Sequence, residues 1–142
     1  MASGAARIVV AMTHPAARAL PLDAVATWIA GLAALAFLGI GLRAVLAPTG
    51  AAAFFGLPVP AAEGLPFVQV FGARNVGLSL LALVLLVLDV RLGLAAVFLA
   101  AALIAGLDAW IVTTHAGVAR AVKHFAYVVG LAGFGLFLAR GR

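Results

Sequence analysis

The chain has 142 residues, of which 67% are hydrophobic and 9% are charged, and its formal net charge is +5. A soluble globular domain is about half apolar, so this composition excludes that class and predicts an integral membrane protein. Because no solvated basic face accompanies the positive charge, we expect it to reflect membrane topology and lipid contact, with no nucleic-acid partner.

The amino-terminal part contains one predicted tail, one span and one long connection. Residues 1–23 hold a single short apolar patch, Ile8–Met12, which is too short for a secretory signal, so we expect a cytoplasmic tail or a surface helix. The first span covers residues 24–46, since a hydrocarbon core about 30 Å thick takes about 20 helical residues. The connection Ala47–Pro66 holds four prolines, and only Ala51–Leu57 is apolar enough to lie at the interface.

Three further spans follow in the remainder of the chain. The second covers residues 67–88 after Pro66, the turn Asp89–Arg91 leads into the third at residues 92–112, and the fourth covers residues 121–139. Short connections favour neighbouring helices of opposite direction, so the predicted fold class is all-α, an antiparallel four-helix transmembrane bundle. The distribution of Lys and Arg predicts a plasma-membrane protein with both termini in the cytoplasm. Glycine-rich faces on the first and fourth helices allow a homo-oligomer without requiring one.

Two charged residues lie inside these apolar spans, Arg74 in the second and Asp108 in the third. An ionisable side chain in hydrocarbon is costly and usually faces a partner or a cavity. Counted from the turn at Val90 with a rise of 1.5 Å per residue, the two lie within about 3 Å of each other in depth, so we expect them to meet. The same counting places Arg43 and His124 in the same half of the bilayer.

The helical faces predict where these residues point. Asn75 and Ser79 belong to a stripe of small and polar residues on the second helix, of the kind that packs closely against another helix. His124 and Tyr127 share one face of the fourth helix, and Asp108 follows small residues on one face of the third. We therefore expect a polar pocket in the interior of the bundle.

Simpler interpretations exist for most of these residues. Arg74 and Asp108 would also suit a structural ion pair that fixes which helices are neighbours. His124 would also suit a hydrogen-bonded histidine near a helix start, and Lys123 a cation that extends from a helix end to the membrane surface. His115, His124 and Asp108 are a residue set that can hold zinc, but such sets are common by chance, and we expect no metal.

Two short segments carry a resemblance to a known family. Phe54–Pro58, read as FFGLP, and Gly72–Asn75, read as GARN, together with Asp108 and His124, resemble a family of small four-helix membrane proteins whose domain has no assigned function. The resemblance covers about Ala24–Ala139 and implies the four-helix fold and this choice of residues, but no reaction. Members usually carry Arg-Asp where this chain has Arg-Asn, which removes one carboxylate. There is also a looser likeness to DoxX-like four-helix membrane proteins.

The predicted pocket suits acid–base chemistry on a lipophilic molecule. A molecule entering from the bilayer meets an arginine, an amide, a carboxyl group and an imidazole in a medium of low dielectric constant. There is no cysteine, haem pair or nucleotide motif, so we expect no cofactor. We predict an enzyme that catalyses isomerisation, cyclisation or epoxide opening. The predicted catalytic residues are Asp108 and His124, and the predicted substrate-binding residues are Arg74, Asn75, Arg43 and Tyr127.

Two other functions are compatible with the sequence. The first is a non-catalytic module that binds a lipid or stabilises a partner membrane protein, with Arg74 and Asp108 as internal scaffolding. The second is a transporter, which is disfavoured because four spans without an internal repeat or an interrupted helix pair would need several copies to assemble.

Overall fold

The computed structural model describes residues 25–60 and 62–140, and this part of the chain is almost entirely helical. The helices are α1 (Val25–Leu46), α2 (Pro48–Phe55), α3 (Leu65–Val87), α4 (Arg91–Ala116) and α5 (Val118–Arg140). All except α2 are long and apolar enough to cross a membrane. The all-α four-helix bundle predicted from the sequence is therefore confirmed. The tail predicted for residues 1–23 lies outside the described residues.

The short helix α2 occupies the long connection between the first two spans. Ala47 alone separates it from α1, and Pro48 lies in its first turn, where a missing N–H costs nothing. The helix ends at Gly56, whose φ of 110° favours glycine and whose N–H bonds back to carbonyls of the last turn. The apolar piece noted in the sequence at Ala51–Leu57 is thus mostly helical.

The connection between α4 and α5 is much shorter than the sequence predicts. Within Thr113–Arg120, which we expected to connect two spans, only Gly117 is non-helical, and its φ is 87°. Thr114 lies within α4, and its Oγ1 donates back to the carbonyls of the preceding turn, to Trp110 at 3.1 Å and Ile111 at 2.9 Å. The two helices therefore meet at a single glycine.

Glycines bring α1 and α3 into direct backbone contact. A Cβ atom added to Gly41 would lie 2.9 Å from the carbonyl oxygen of Gly72, and one added to Gly72 would lie 2.7 Å from the carbonyl oxygen of Gly41. Gln69 Nε2 donates a hydrogen bond to the carbonyl of Val45 at 3.1 Å. In these contacts residue numbers rise along α1 as they fall along α3. Small residues thus make α1 and α3 one close pair.

Helices α4 and α5 form the second close pair. A Cβ atom added to Gly135 would lie 2.9 Å from Leu99 Cγ, so the helices touch there. Arg91, in the first turn of α4, donates from Nη1 to the carbonyl of Leu138 at 2.8 Å near the end of α5. Most contacts between long helices lie within the two pairs, and fewer join α3 to α4. Space therefore remains between the pairs.

Candidate functional site

A cavity of about 340 Å³ lies between the two helix pairs, beside α2. Its wall is mostly apolar, and the exposed residues Ala36 and Gly39 of α1 belong to it, so it opens sideways on the bundle surface. Six polar or charged residues line it towards the end of the bundle where α2 lies: Arg43, Asn75, Asp108, Lys123, His124 and Tyr127. Such a cavity, apolar with a few convergent polar groups, is the usual form of a small-molecule site.

His124 joins α5 to the last residue of α2. Its side chain is 3% exposed, and Nε2 lies 2.8 Å from the carbonyl oxygen of Phe55. A carbonyl can only accept, so Nε2 carries the hydrogen and donates it, which leaves Nδ1 of the neutral ring as the acceptor. The imidazole also packs edge-on against the Phe55 and Tyr127 rings, at centroid distances of 4.6 Å and 6.1 Å. The histidine is therefore fixed in position and keeps one nitrogen for a ligand.

Two cations from opposite helix pairs converge on the ring of Phe54 in α2. Arg43 Cζ lies 5.6 Å from the ring centroid, and Lys123 Nζ lies 4.5 Å from it. Both distances are within cation–π range, so both cations lie against the same ring. Because both residues line the cavity, its α2 end is positively charged.

Asp108 is the carboxyl group of the cavity. It is half-buried on α4, and the charged or ionisable groups that act on it electrostatically are His124 and Arg74. Within the described part of the chain it makes no hydrogen bond or ion pair. The carboxyl oxygens are therefore available to a bound molecule.

Arg74 does not lie where the sequence predicts. It is exposed, it is absent from the cavity lining, and among the described residues it forms no ion pair with Asp108. The reason is its direction on the helix, since Gly72 packs against α1 and a residue two positions later points about 200° away from it. Arg74 matches Asp108 in depth but faces outward, so the expected ion pair does not form.

The other five predicted site residues all line the same cavity: Arg43, Asn75, Asp108, His124 and Tyr127. Sequence reasoning missed two further polar residues of the lining. Lys123 was assigned to the membrane surface, although its spacing of four from Tyr127 places the two on one face. Ser79 was assigned to helix packing; it is 3% exposed, and its hydroxyl has no hydrogen-bond partner.

His115 does not join the residues with which it could have held zinc. It is exposed, its Nδ1 lies 2.9 Å from the carbonyl of Ile111, and it does not line the cavity. Among the described residues no three metal-ligating side chains of His, Cys, Asp or Glu are gathered together.

The fold and the site together define a four-helix membrane-type bundle with a mostly apolar cavity between its two helix pairs and polar residues at one end of that cavity. The chain belongs to the family of the domain of unknown function DUF4267, whose family model matches residues 34–138. The matched region includes every polar residue of the cavity, and it confirms the family resemblance seen in the sequence. No curated protein and no solved structure matches the chain. The likeness to DoxX-like proteins is not shown by these comparisons.

Proposed function

We propose that this protein is a membrane enzyme that performs acid–base chemistry on a lipophilic molecule held between its helix pairs. The observation that carries the proposal is the presence of Asp108 and His124, from neighbouring helices, in the lining of one mostly apolar cavity. A carboxyl group and an imidazole are the two side chains that most often transfer protons in enzymes. The sideways opening supports entry of the substrate from the bilayer.

The contacts of His124 support its role as the base. Its Nε2–H is held by the Phe55 carbonyl, so Nδ1 accepts the proton, and the carbonyl dipole then stabilises the imidazolium that forms. Asp108, when protonated, supplies a proton on the other side of the reacting group. This pair suits an isomerisation, in which a proton leaves one carbon and another is returned elsewhere, and equally a cyclisation or an epoxide opening.

The remaining polar residues suit substrate binding. Arg43 and Lys123 stabilise negative charge that develops on a substrate oxygen, because their charges are already in place and act in a medium of low dielectric constant. Asn75 and Tyr127 offer a hydrogen-bonding amide and hydroxyl to the same molecule. Arg74 faces outward and has no part in this scheme.

The proposal is tested by proton exchange. The purified protein in lipid nanodiscs is incubated in D₂O with a lipophilic extract of its host membrane, and mass spectrometry follows deuterium entering any component. We expect exchange with the wild type and a loss of at least about 100-fold in Asp108→Asn and His124→Gln, as for removal of a general acid or base. Two matched variants, Glu63→Gln and His115→Gln, change exposed residues outside the cavity and keep the wild-type rate.

Folding is followed in parallel by thermal unfolding, because His124→Gln also removes the bond to α2. A folded Asp108→Asn variant that exchanges at the wild-type rate contradicts the enzyme proposal.

One observation favours a second candidate, a non-catalytic module that binds a lipophilic molecule. The bond from His124 to the Phe55 carbonyl satisfies an acceptor at the end of α2 and holds that helix beside the cavity, which is a structural role. Under this alternative a lipophilic molecule co-purifies with the wild type, is identified by mass spectrometry, and is recovered chemically unchanged after incubation in D₂O.

A further inference from the structure

Ser79 carries an unpaired hydroxyl group in the wall of the cavity. The residue is 3% exposed, and its Oγ has no hydrogen-bond partner. A serine inside a helix normally bonds to a carbonyl of the preceding turn or reaches solvent, and this one does neither. Since a buried hydroxyl without a partner is unfavourable, a polar atom of a molecule in the cavity would gain a hydrogen bond at Ser79.

The surroundings of Ser79 are apolar and suit a largely apolar molecule. Ala34 and Ala82, which are buried, and Phe98 line the cavity with Ser79 and have no polar side-chain atom. Ala82 lies three residues further along the same helix, on the side away from α2. A hydrocarbon chain therefore fits this part of the cavity, with one oxygen or nitrogen directed at Ser79.

The opposite end of the cavity attracts a negative charge. Arg43 and Lys123 both lie against the ring of Phe54, and the cavity contributes one carboxyl group, Asp108, against these two cations. An anionic oxygen group at this end, a carboxylate or a phosphate, pairs with both cations by charge-assisted hydrogen bonds.

The separation of the two ends gives the length of the molecule. The contacts of Val45 with Gln69 and of Gly41 with Gly72 place Arg43 level with Phe71. Ser79 is eight residues further along α3, so the backbone positions of Arg43 and Ser79 differ by about 12 Å along the helix axis at 1.5 Å per residue. An extended peptide covers about 3.5 Å in three bonds, so about ten bonds of an extended chain cover this distance. The volume of about 340 Å³ is near the lower limit for small-molecule sites and suits one chain.

We infer that the molecule bound in the cavity is a single-chain amphiphile, with an anionic oxygen group at Arg43 and Lys123 and a hydroxyl or keto oxygen about ten bonds away at Ser79. This inference rests on the proposed function, because it names the ligand of the same cavity. It assigns the polar residues to two binding positions. Arg43 and Lys123 recognise the charged group, and Ser79 recognises the position of an oxygen atom along the chain.

The test compares two isomers, 10-hydroxydodecanoate and 3-hydroxydodecanoate, which differ only in where the hydroxyl group lies. Their dissociation constants are measured by equilibrium dialysis with the full chain in phosphatidylcholine nanodiscs, and empty nanodiscs correct for partition into lipid. We expect the 10-hydroxy isomer to bind about tenfold more tightly, as one hydrogen bond to a buried group allows. Ser79→Ala removes this preference. Thr113→Val, which removes an equally unpaired hydroxyl outside the cavity, retains it.

The charged end is tested with dodecanoate, dodecyl phosphate and dodecyltrimethylammonium. Arg43→Gln and Lys123→Gln each weaken binding of the anions about tenfold, and Arg140→Gln, which removes the charge of an exposed residue outside the cavity, is the matched control that leaves it unchanged. The inference is supported if either dodecanoate or dodecyl phosphate binds and its binding is weakened by Arg43→Gln and Lys123→Gln. The anion that binds more tightly identifies the head group. The inference is overturned if dodecyltrimethylammonium binds as tightly as the two anions do. It is also overturned if the two hydroxydodecanoate isomers bind equally to the wild type, or if the preference for the 10-hydroxy isomer remains in Ser79→Ala.

These outcomes are independent of the exchange experiment above. Proton exchange that depends on Asp108, without any preference between the isomers, retains the proposed enzyme and overturns the assigned ligand. A preference between the isomers without exchange supports the ligand and selects the non-catalytic binding module.

Discussion

At the scale of single residues, the fixed orientation of His124 is the feature on which the site depends. Its Nε2 faces the Phe55 carbonyl, and its ring is enclosed by Phe55 and Tyr127. Rotating the ring to exchange its nitrogens would leave the carbonyl without its donor and would need space that the neighbouring rings occupy. The hydrogen bond therefore decides which nitrogen is available for chemistry.

The histidine tautomers provide the prediction at this scale. When neutral, His124 carries its hydrogen on Nε2, whereas His115, whose Nδ1 lies 2.9 Å from the Ile111 carbonyl, carries it on Nδ1. Nitrogen-15 chemical shifts of selectively labelled protein distinguish the two forms, and His124→Gln and His115→Gln assign the signals. A His124 signal of the Nδ1–H form would contradict the position of α2 described above.

At the scale of helices, close glycine contacts decide which helices pair. Gly72 and Gly41 each meet the backbone of the other helix, which cannot move aside as a flexible side chain can. Gly77 on the same helix has nothing within 4 Å of an added Cβ atom. The two glycines of α3 therefore have different roles, because Gly72 permits a contact between helices and Gly77 has no such contact.

Alanine substitutions at these two glycines test this difference. Gly72→Ala is expected to lower the free energy of unfolding by about 1–3 kcal/mol, as overpacking does, because the new Cβ would lie 2.7 Å from the Gly41 carbonyl oxygen. Gly77→Ala is expected to be neutral or to stabilise by less than about 1 kcal/mol through helix propensity. Thermal and denaturant unfolding in the same detergent measure both. Equal stability of the two variants would show that α1 and α3 are not in backbone contact.

At the scale of the whole molecule, the bundle is two helix pairs with a cavity between them. The sequence shows the lengths and the apolarity of the four spans and the stripes of small residues on their faces. For this reason the fold and most of the cavity lining could be predicted. Counting residues gives depth along a helix, but the direction of a long side chain depends on its neighbours, so neither the outward direction of Arg74 nor the presence of Lys123 in the cavity lining was predicted. The bond from His124 to Phe55 joins residues 69 positions apart, and no local pattern encodes it.

Membrane orientation is the prediction that belongs to this scale. If each of the four long helices crosses the membrane, we expect residues 25 and 140 and the turn before α4 on one side. We then expect the connection after α2 on the other side. Among the described residues near helix ends, Arg91 and Arg140 lie towards the first side, whereas Arg43, Arg120 and Lys123 lie towards the second. The predicted cytoplasmic position of the termini therefore depends on the arginines before residue 25 and after residue 140.

Single cysteines decide this orientation, because the chain has none of its own. Glu63→Cys lies in the connection after α2 and Leu88→Cys in the turn before α4, and both positions are exposed. A membrane-impermeant maleimide is expected to label Glu63→Cys in intact cells and Leu88→Cys only after permeabilisation. The reverse pattern would place the cationic end of the cavity in the cytoplasmic leaflet, so that the anionic amphiphile would be drawn from that leaflet. Labelling of both variants in intact cells would contradict a membrane crossing by α3, which is the helix that separates the two positions.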